Sequence, residues 1–175
     1  MRELPVFVMV SGPPASGKST LAPELAAALR LPLVAKDTIK ETLMATLPVP
    51  DVEASRQLGR AAVQVMLAVS AASPVGAVLE SNFYRSLAVA EIQQLPGTVV
   101  EVFCRCDRQV AQGRFATRVA TRQAGHFDGL RTAEELWNEQ ISEPVAGGWP
   151  VLEVDTNSAV DVPFVTRRLR QLLDT

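Results

Sequence analysis

Ten residues near the start of the chain, Ser11-Gly12-Pro13-Pro14-Ala15-Ser16-Gly17-Lys18-Ser19-Thr20, carry the types and spacing of an anion cradle. The segment Gly12–Ser19 fits G-x-x-x-x-G-K-[ST] in full. In such a loop the backbone N–H groups point inward at an anion, and the N-terminus of the helix that follows adds roughly half a positive charge. Lys18 is expected to reach the β- and γ-phosphates of a nucleoside triphosphate, and the Ser19 hydroxyl to ligate Mg²⁺. Gly12, Pro13, Pro14, Ala15, Ser16, Gly17, Lys18, Ser19 and Thr20 are the expected nucleotide-binding residues.

Three further groups have types suited to moving a phosphoryl group. Asp37 precedes a helical stretch and shares a helical face with Lys40, three residues on. A carboxylate there can take the proton of an attacking hydroxyl, while Lys40 orients the acceptor. The alternative is that Asp37 only caps its helix. Glu80-Ser81-Asn82 closes an apolar run, where the carboxylate and the amide can hold acceptor hydroxyls or the magnesium shell. Arg85 can grip an anionic group, and Arg60 stands on a charged stripe with Glu53 and Arg56. Lys40, Arg60, Glu80, Asn82 and Arg85 are thus the candidate acceptor-binding residues. Arg114, Arg118 and Arg122 recur every four residues, which stacks them along one side of a helix. With Gln123-Ala124-Gly125-His126 beside them they read as a mobile clamp over ATP, the alternative being a solvated polar face. Arg114 is assigned to ATP, and Arg118 and Arg122 to the transferring group. His126 reads as incidental, Trp137, Trp149 and Phe127 as packing residues, and Thr156-Asn157 as a weak candidate contact for the purine ring.

These residues need a scaffold that delivers them to one edge. Val6–Val10 is an apolar run of strand length, and Leu21–Leu29 has helical spacing, with Pro23 early in it as a mild contradiction. Short strands are predicted at 33–35, 76–80, 98–104 and 151–154, alternating with helices at about 37–47, 51–72, 86–95, 108–120 and 162–173. Thr132 followed by Glu135 reads as a capping box. Alternating strands and helices make a parallel sheet covered on both faces, a three-layer α/β/α domain whose ligands gather at the carboxyl ends of the strands. One domain is expected over 1–175, with an acceptor-side helix at about 51–72 and a lid at about 114–131.

The bulk composition agrees. The 175 residues are 47% hydrophobic and 21% charged with a net charge of −2, ordinary for one soluble domain and unfavourable for a nucleic-acid binder. No apolar run approaches a membrane span, and Met-Arg-Glu-Leu-Pro is no signal peptide, so a cytoplasmic protein is expected. The two cysteines, Cys104 and Cys106, are expected to be free thiols. Of the chain's only lysines, Lys18, Lys36 and Lys40, all fall near the predicted phosphate site.

Taken together, Gly12-Pro13-Pro14-Ala15-Ser16-Gly17-Lys18-Ser19-Thr20, Lys36-Asp37-Thr38-Ile39-Lys40-Glu41, Glu80-Ser81-Asn82-Phe83 and the arginine ladder with Gly125-His126 resemble the small P-loop kinases grouped with zeta-toxin-like proteins, polynucleotide 5′-kinase domains and chloramphenicol phosphotransferase, over nearly the whole chain. The resemblance implies a P-loop NTPase fold with a five-stranded parallel sheet in the order 2-3-1-4-5 and ATP with Mg²⁺ as donor. It also implies Asp37 as base, Lys18 on the phosphates, Ser19 on magnesium and lid arginines closing over ATP. The acceptor does not carry over, because substrates in that group differ widely. The leading expectation is an ATP-dependent phosphotransferase acting on a hydroxyl of a small molecule: an antibiotic, a nucleoside or a sugar derivative. The alternatives are a polynucleotide 5′-hydroxyl kinase and a nucleotide-dependent switch or ATPase module without an acceptor.

Overall fold

The computed structural model describes residues 4–119, 124–127 and 130–173. Five strands, β1 (Val6–Ser11), β2 (Leu33–Ala35), β3 (Gly76–Glu80), β4 (Thr98–Arg105) and β5 (Val151–Asp155), form one sheet. Every pairing is parallel and the order is β2-β3-β1-β4-β5. The helices are α1 (Lys18–Leu29), α2 (Lys36–Met44), α3 (Val52–Ala71), α4 (Arg85–Ile92), α5 (Arg108–Val119), α6 (Ala133–Leu136), α7 (Glu139–Ser142) and α8 (Val162–Leu173). The carboxyl ends of β1 and β3 lie side by side, with Val10 opposite Glu80. This register brings the loop after β1 against the acid that ends β3.

The central strands read as unbroken apolar runs because both of their faces are covered. Alternate side chains go to opposite layers. Val8, Val10, Val78, Val100 and Val102 pack with Leu21 and Leu25 of α1 and Val165 and Leu169 of α8. Phe7, Met9, Ala77 and Leu79 pack with Met66 of α3 and Ala88 and Ile92 of α4. α1 runs through Pro23 as a helix, with the proline exposed. The capping box at Thr132 and Glu135 forms as expected, although α6 spans only four residues. Both thiols are free; Cys104 lies in the α1/α8 core and Cys106 falls just past the end of β4. Among the described residues no helix is long and apolar enough to cross a membrane.

The alternative reading of Asp37 needs correction. Asp37 is not the cap of α2. The helix starts at Lys36, directly on the end of β2, so Ala35 occupies the N-cap position and Asp37 sits inside the first turn. Its carboxylate still faces the positive end of the helix, but it does not serve as the helix stop signal. α2 also ends at Met44 rather than near Leu47.

Glu101, in the middle of valine-rich β4, has no exposed surface. Four donors hold its carboxylate: Ser11 Oγ at 2.6 Å, the backbone N–H groups of Val145 and Ala146 at 2.9 Å each, and Trp149 Nε1 at 3.2 Å. The residue thereby staples the end of β1 to the segment that leads into β5. Trp149, expected to pack, also donates here. Glu101→Leu strands these donors without acceptors, and each stranded buried group costs about 1–3 kcal/mol. Thermal melts of this variant are expected to fall by about 6 °C or more, at roughly 2–4 °C per kcal/mol for a chain of this size. An unchanged midpoint would show that the staple does not hold the fold.

Candidate functional site

The loop after β1 is built by backbone geometry that side chains resist. Gly12 has φ 133°, and a Cβ there would lie 2.8 Å from the Cys104 carbonyl oxygen and 2.8 Å from Ser16 Oγ. Gly17 caps α1 in the left-handed region, at φ 92°, with no side-chain cap bond. Ala15 is also left-handed, at φ 59°. Lys18 opens α1 with only 5% exposure, and its ammonium donates to the Pro13 carbonyl at 2.6 Å, folding back across the loop. The loop is clamped from the far side of the sheet. Thr156, just past β5, places its hydroxyl 2.6 Å from the Ser16 carbonyl and 3.0 Å from the Arg105 carbonyl, so one proton serves both. Thr156 and Asn157, the weak candidates for a purine contact, both have partners within the protein. Thr156 holds the loop, and the Asn157 amide oxygen accepts from the Asp107 N–H at 2.9 Å.

A cavity of about 540 Å³ lies over this loop. Ala15 and Gly17, the exposed first turn of α1 at Ser19 and Thr20, and Arg114 and Arg118 of α5 form its wall. Two rungs of the arginine ladder thus meet the cavity; Arg122 lies outside the described residues. The two rungs differ in use. Arg114 donates to the carbonyls of Thr156 at 2.9 Å and Asn157 at 2.8 Å, which ties α5 to the loop after β5. Arg118 stacks its guanidinium 5.5 Å from the centre of the Phe115 ring, and its charge reaches both Lys18 and Glu80.

The carboxyl ends of β2 and β3 bring the acids to the lysine. Glu80 is 7% exposed. Burial pushes its carboxyl above the ordinary 4.5, and the Lys18 charge partly pulls it back. Burial likewise pushes Lys18 below the ordinary 10.5, against the pull of Glu80 and, more weakly, Asp37. Asp37 is paired with Lys36 at 2.8 Å and is 39% exposed at its side chain. Lys18, Glu80, Asp37, Lys36 and Arg118 thus form one mutually interacting charge cluster at the edge of the sheet.

The remaining candidates are spread more widely. Lys40 is buried between helices and donates to Ser55 of α3 at 2.7 Å. Asn82 is half-buried just past Glu80. Arg60 is exposed and pairs with Glu53 at 3.0 Å on its own helix. Arg85 is exposed at the start of α4. Arg56 instead bridges to Glu135 of α6 at 3.1 Å. His126 makes a buried contact with α2. It is 6% exposed, and its Nε2 lies 2.8 Å from Glu41 Oε1, so the 3₁₀ turn Ala124–His126 is docked on α2.

Residues 7–143 match the family described as an AAA domain, AAA_33. The chain belongs to this family. Its structural likenesses agree with a P-loop fold of the kinase type. The "putative kinase" from Chloroflexus aurantiacus j-10-fl is 31% identical with a TM-score of 0.86, over 98% of this AAA-domain chain and 100% of that one. Shikimate kinase from Acinetobacter baumannii, seen in complex with shikimate, is 18% identical with a TM-score of 0.63, over 98% and 93% of the two chains. A gluconokinase from Sinorhizobium meliloti 1021 is 18% identical with a TM-score of 0.62, over 99% and 94%. The last two likenesses concern the fold alone. No curated protein matches the AAA-domain chain by sequence.

Proposed function

We propose that the protein is an ATP-dependent kinase that transfers the γ-phosphoryl group to a hydroxyl of a small molecule such as an antibiotic, a nucleoside or a sugar derivative. The observation that carries this reading is the charge cluster in which Lys18, Glu80, Asp37 and Arg118 interact, with Arg118 also lining the loop cavity. A cradle alone needs only the loop and its lysine. An acid pair beside the lysine supplies what a transfer reaction further requires: a group to receive the acceptor's proton.

In this reading the nucleotide lies in the cavity with its β- and γ-phosphates on the loop amides and Lys18. The acceptor oxygen attacks the γ-phosphorus while the bond to the ADP oxygen breaks, and ADP leaves with that electron pair. The acceptor's proton passes to Asp37. Arg118 lies against the charge that spreads over the transferring oxygens. The chain offers a fitting place for Mg²⁺: Ser19 is exposed on the cavity wall in the first turn of α1, with the buried acid Glu80 across the loop. Mg²⁺ bound there supplies neutralisation of phosphate charge. The lid, including Arg122, and the narrower kinship with zeta-toxin-like kinases belong to the same proposal, as does a cytoplasmic setting where ATP and reduced thiols coexist.

Incubation with ATP, Mg²⁺ and a panel of hydroxylated metabolites, read by ADP release and by product mass, tests the reading. Acceptor-dependent ADP release together with a product heavier by one phosphoryl group supports it. Hydrolysis unaltered by every acceptor favours an ATPase module instead. The clamp from β5 gives a sharper check. Thr156→Val keeps the shape and removes the hydroxyl that holds Ser16, so ATP affinity is expected to weaken about five- to tenfold, the equivalent of one hydrogen bond. Calorimetric titration with ATP and Mg²⁺ measures it, and an unchanged affinity would show that the loop holds its shape without Thr156.

A further inference from the structure

Gly59 in α3 and Gly113 in α5 lie inside helices, and neither has a left-handed backbone. Helix interiors disfavour glycine, because it loses more backbone freedom on folding than any other residue and has no side chain to pack. Crowding forces neither of them. A Cβ at Gly113 meets nothing within 4 Å, and that residue is exposed. Gly59 is half-buried, and among the described residues of other elements a Cβ there meets only the end of Lys36, Cε at 3.9 Å and Nζ at 4.0 Å, both ordinary contact distances. An alanine side chain therefore fits at Gly59, and the helix would gain from it. The lysine that faces this gap is the one whose ammonium grips Asp37 at 2.8 Å. One turn away along both helices the opposing positions are filled, with Lys40 donating to the Ser55 hydroxyl at 2.7 Å. The gap thus falls at the end of the α2–α3 contact where the candidate base stands.

We propose that Gly59 determines the size of the phosphoryl acceptor: its missing side chain leaves the room that the acceptor's body takes up while the reacting hydroxyl lies at Asp37. The inference rests on the transfer reaction proposed above and adds to it a specificity-determining residue of α3. Gly59 acts by exclusion. A group added to a fitted pocket takes volume that the ligand needs, on the scale of about 10–200-fold in discrimination per methylene. The Lys36 ammonium on the wall of the gap sets the chemistry of the occupant. Apolar bulk pressed against an ammonium strips its water without replacing the hydrogen bonds, whereas hydroxyl and carboxylate oxygens accept from it. The occupant is therefore an oxygen-bearing part of the acceptor. Gly113 has no such consequence, because the space beside it is open to solvent.

Kinetics and melting of Gly59→Ala, Gly59→Leu and the control Gly113→Ala test this, with gluconate, adenosine and chloramphenicol as acceptor probes and ATP with Mg²⁺ as donor. Gly59→Ala and Gly113→Ala are each expected to raise the melting midpoint by about 1–4 °C, because a helical glycine has gone. For each probe that the wild type phosphorylates, the acceptor KM is expected to rise about tenfold in Gly59→Ala and about a hundredfold or more in Gly59→Leu, with kcat and calorimetric ATP affinity within about threefold of wild type. Gly113→Ala keeps the wild-type acceptor KM. A glycine that only serves the geometry of the base gives the opposite split: its variants shift Lys36 and with it Asp37, so kcat falls and the acceptor KM stays in place. That pattern overturns the inference, as does an unchanged kcat/KM in Gly59→Leu. A lowered midpoint in Gly59→Ala also overturns it, by showing that the gap serves packing. Each of these results leaves wild-type transfer, and so the proposed function, standing. A wild type whose ADP release no probe raises overturns the transfer reaction and the inference together.

Discussion

Lys18→Ala is expected to lower kcat/KM for ATP-dependent transfer by about 10²–10³-fold, the scale of losing one preorganised charge donor at a developing negative charge. Lys18 is 5% exposed and lies across the loop to Pro13 at 2.6 Å, so no neighbouring lysine replaces it without rebuilding the turn. The effect reaches beyond the phosphates, because the Lys18 charge also restrains Glu80. Burial already holds the Glu80 carboxyl above its ordinary 4.5, and without Lys18 it climbs further. A carboxyl whose folded value lies above its unfolded value binds more protons in the folded state across the interval between them. Its contribution is then present below about 4.5 and is lost as pH rises through the folded value. The variant is therefore expected to lose stability over a wider pH interval above 4.5 than the wild type. Steady-state assays at saturating acceptor and melting curves across pH measure the two halves. Wild-type turnover in Lys18→Ala would remove the cradle from the mechanism, whatever the melting curves show.

The features legible from sequence were those whose signal is local. A strand, a glycine-bearing turn and a helix follow one another in Val6–Leu29, so the loop and its place at a strand end could be read directly. The five strands were equally plain because each is a short, mostly apolar run bounded by turns or helical spacing. The order 2-3-1-4-5 came from the family resemblance rather than from any strand by itself, and the sheet has that order. What sequence could not reveal were bonds between distant parts of the chain. Thr156 clamps Ser16 across 140 residues, and His126 meets Glu41 across 85. Thr and His in loops carry no local mark of such partners. Glu101 did leave a trace, a single acid inside a valine-rich strand, but its donors lie 90 residues upstream and 44 to 48 downstream. The capping alternative for Asp37 failed for a geometric reason. With no residue between β2 and α2, Ala35 ends one element and caps the next, leaving Asp37 inside the helix.

Asp37→Asn is expected to lower kcat about 10²–10⁴-fold, the range for removing a positioned base, while leaving ATP affinity within about threefold. The two readouts separate because Asp37 sits in the first turn of α2 and the cradle is the loop after β1. In the proposed reading the triphosphate is held by loop amides and Lys18, and the charge of Asp37 acts on Lys18 behind those of Glu80 and Cys104 in strength. Asparagine preserves the side chain's shape and removes its capacity to take a proton. It also loosens the pair with Lys36, whose ammonium now lies 2.8 Å from the carboxylate. In that pair Lys36 grips one oxygen of the carboxylate. Loss of the pair alone is worth little, because the Asp37 side chain is 39% exposed and such pairs contribute at most about 1 kcal/mol. A structural role would therefore appear as a small change in melting midpoint with kcat nearly intact. A role as base appears as a collapse of kcat with the midpoint and the ATP affinity preserved. Transfer to an identified acceptor at the wild-type kcat would return Asp37 to an ordinary ion pair, and Glu80, the other acid beside Lys18, would then be the residue to substitute next.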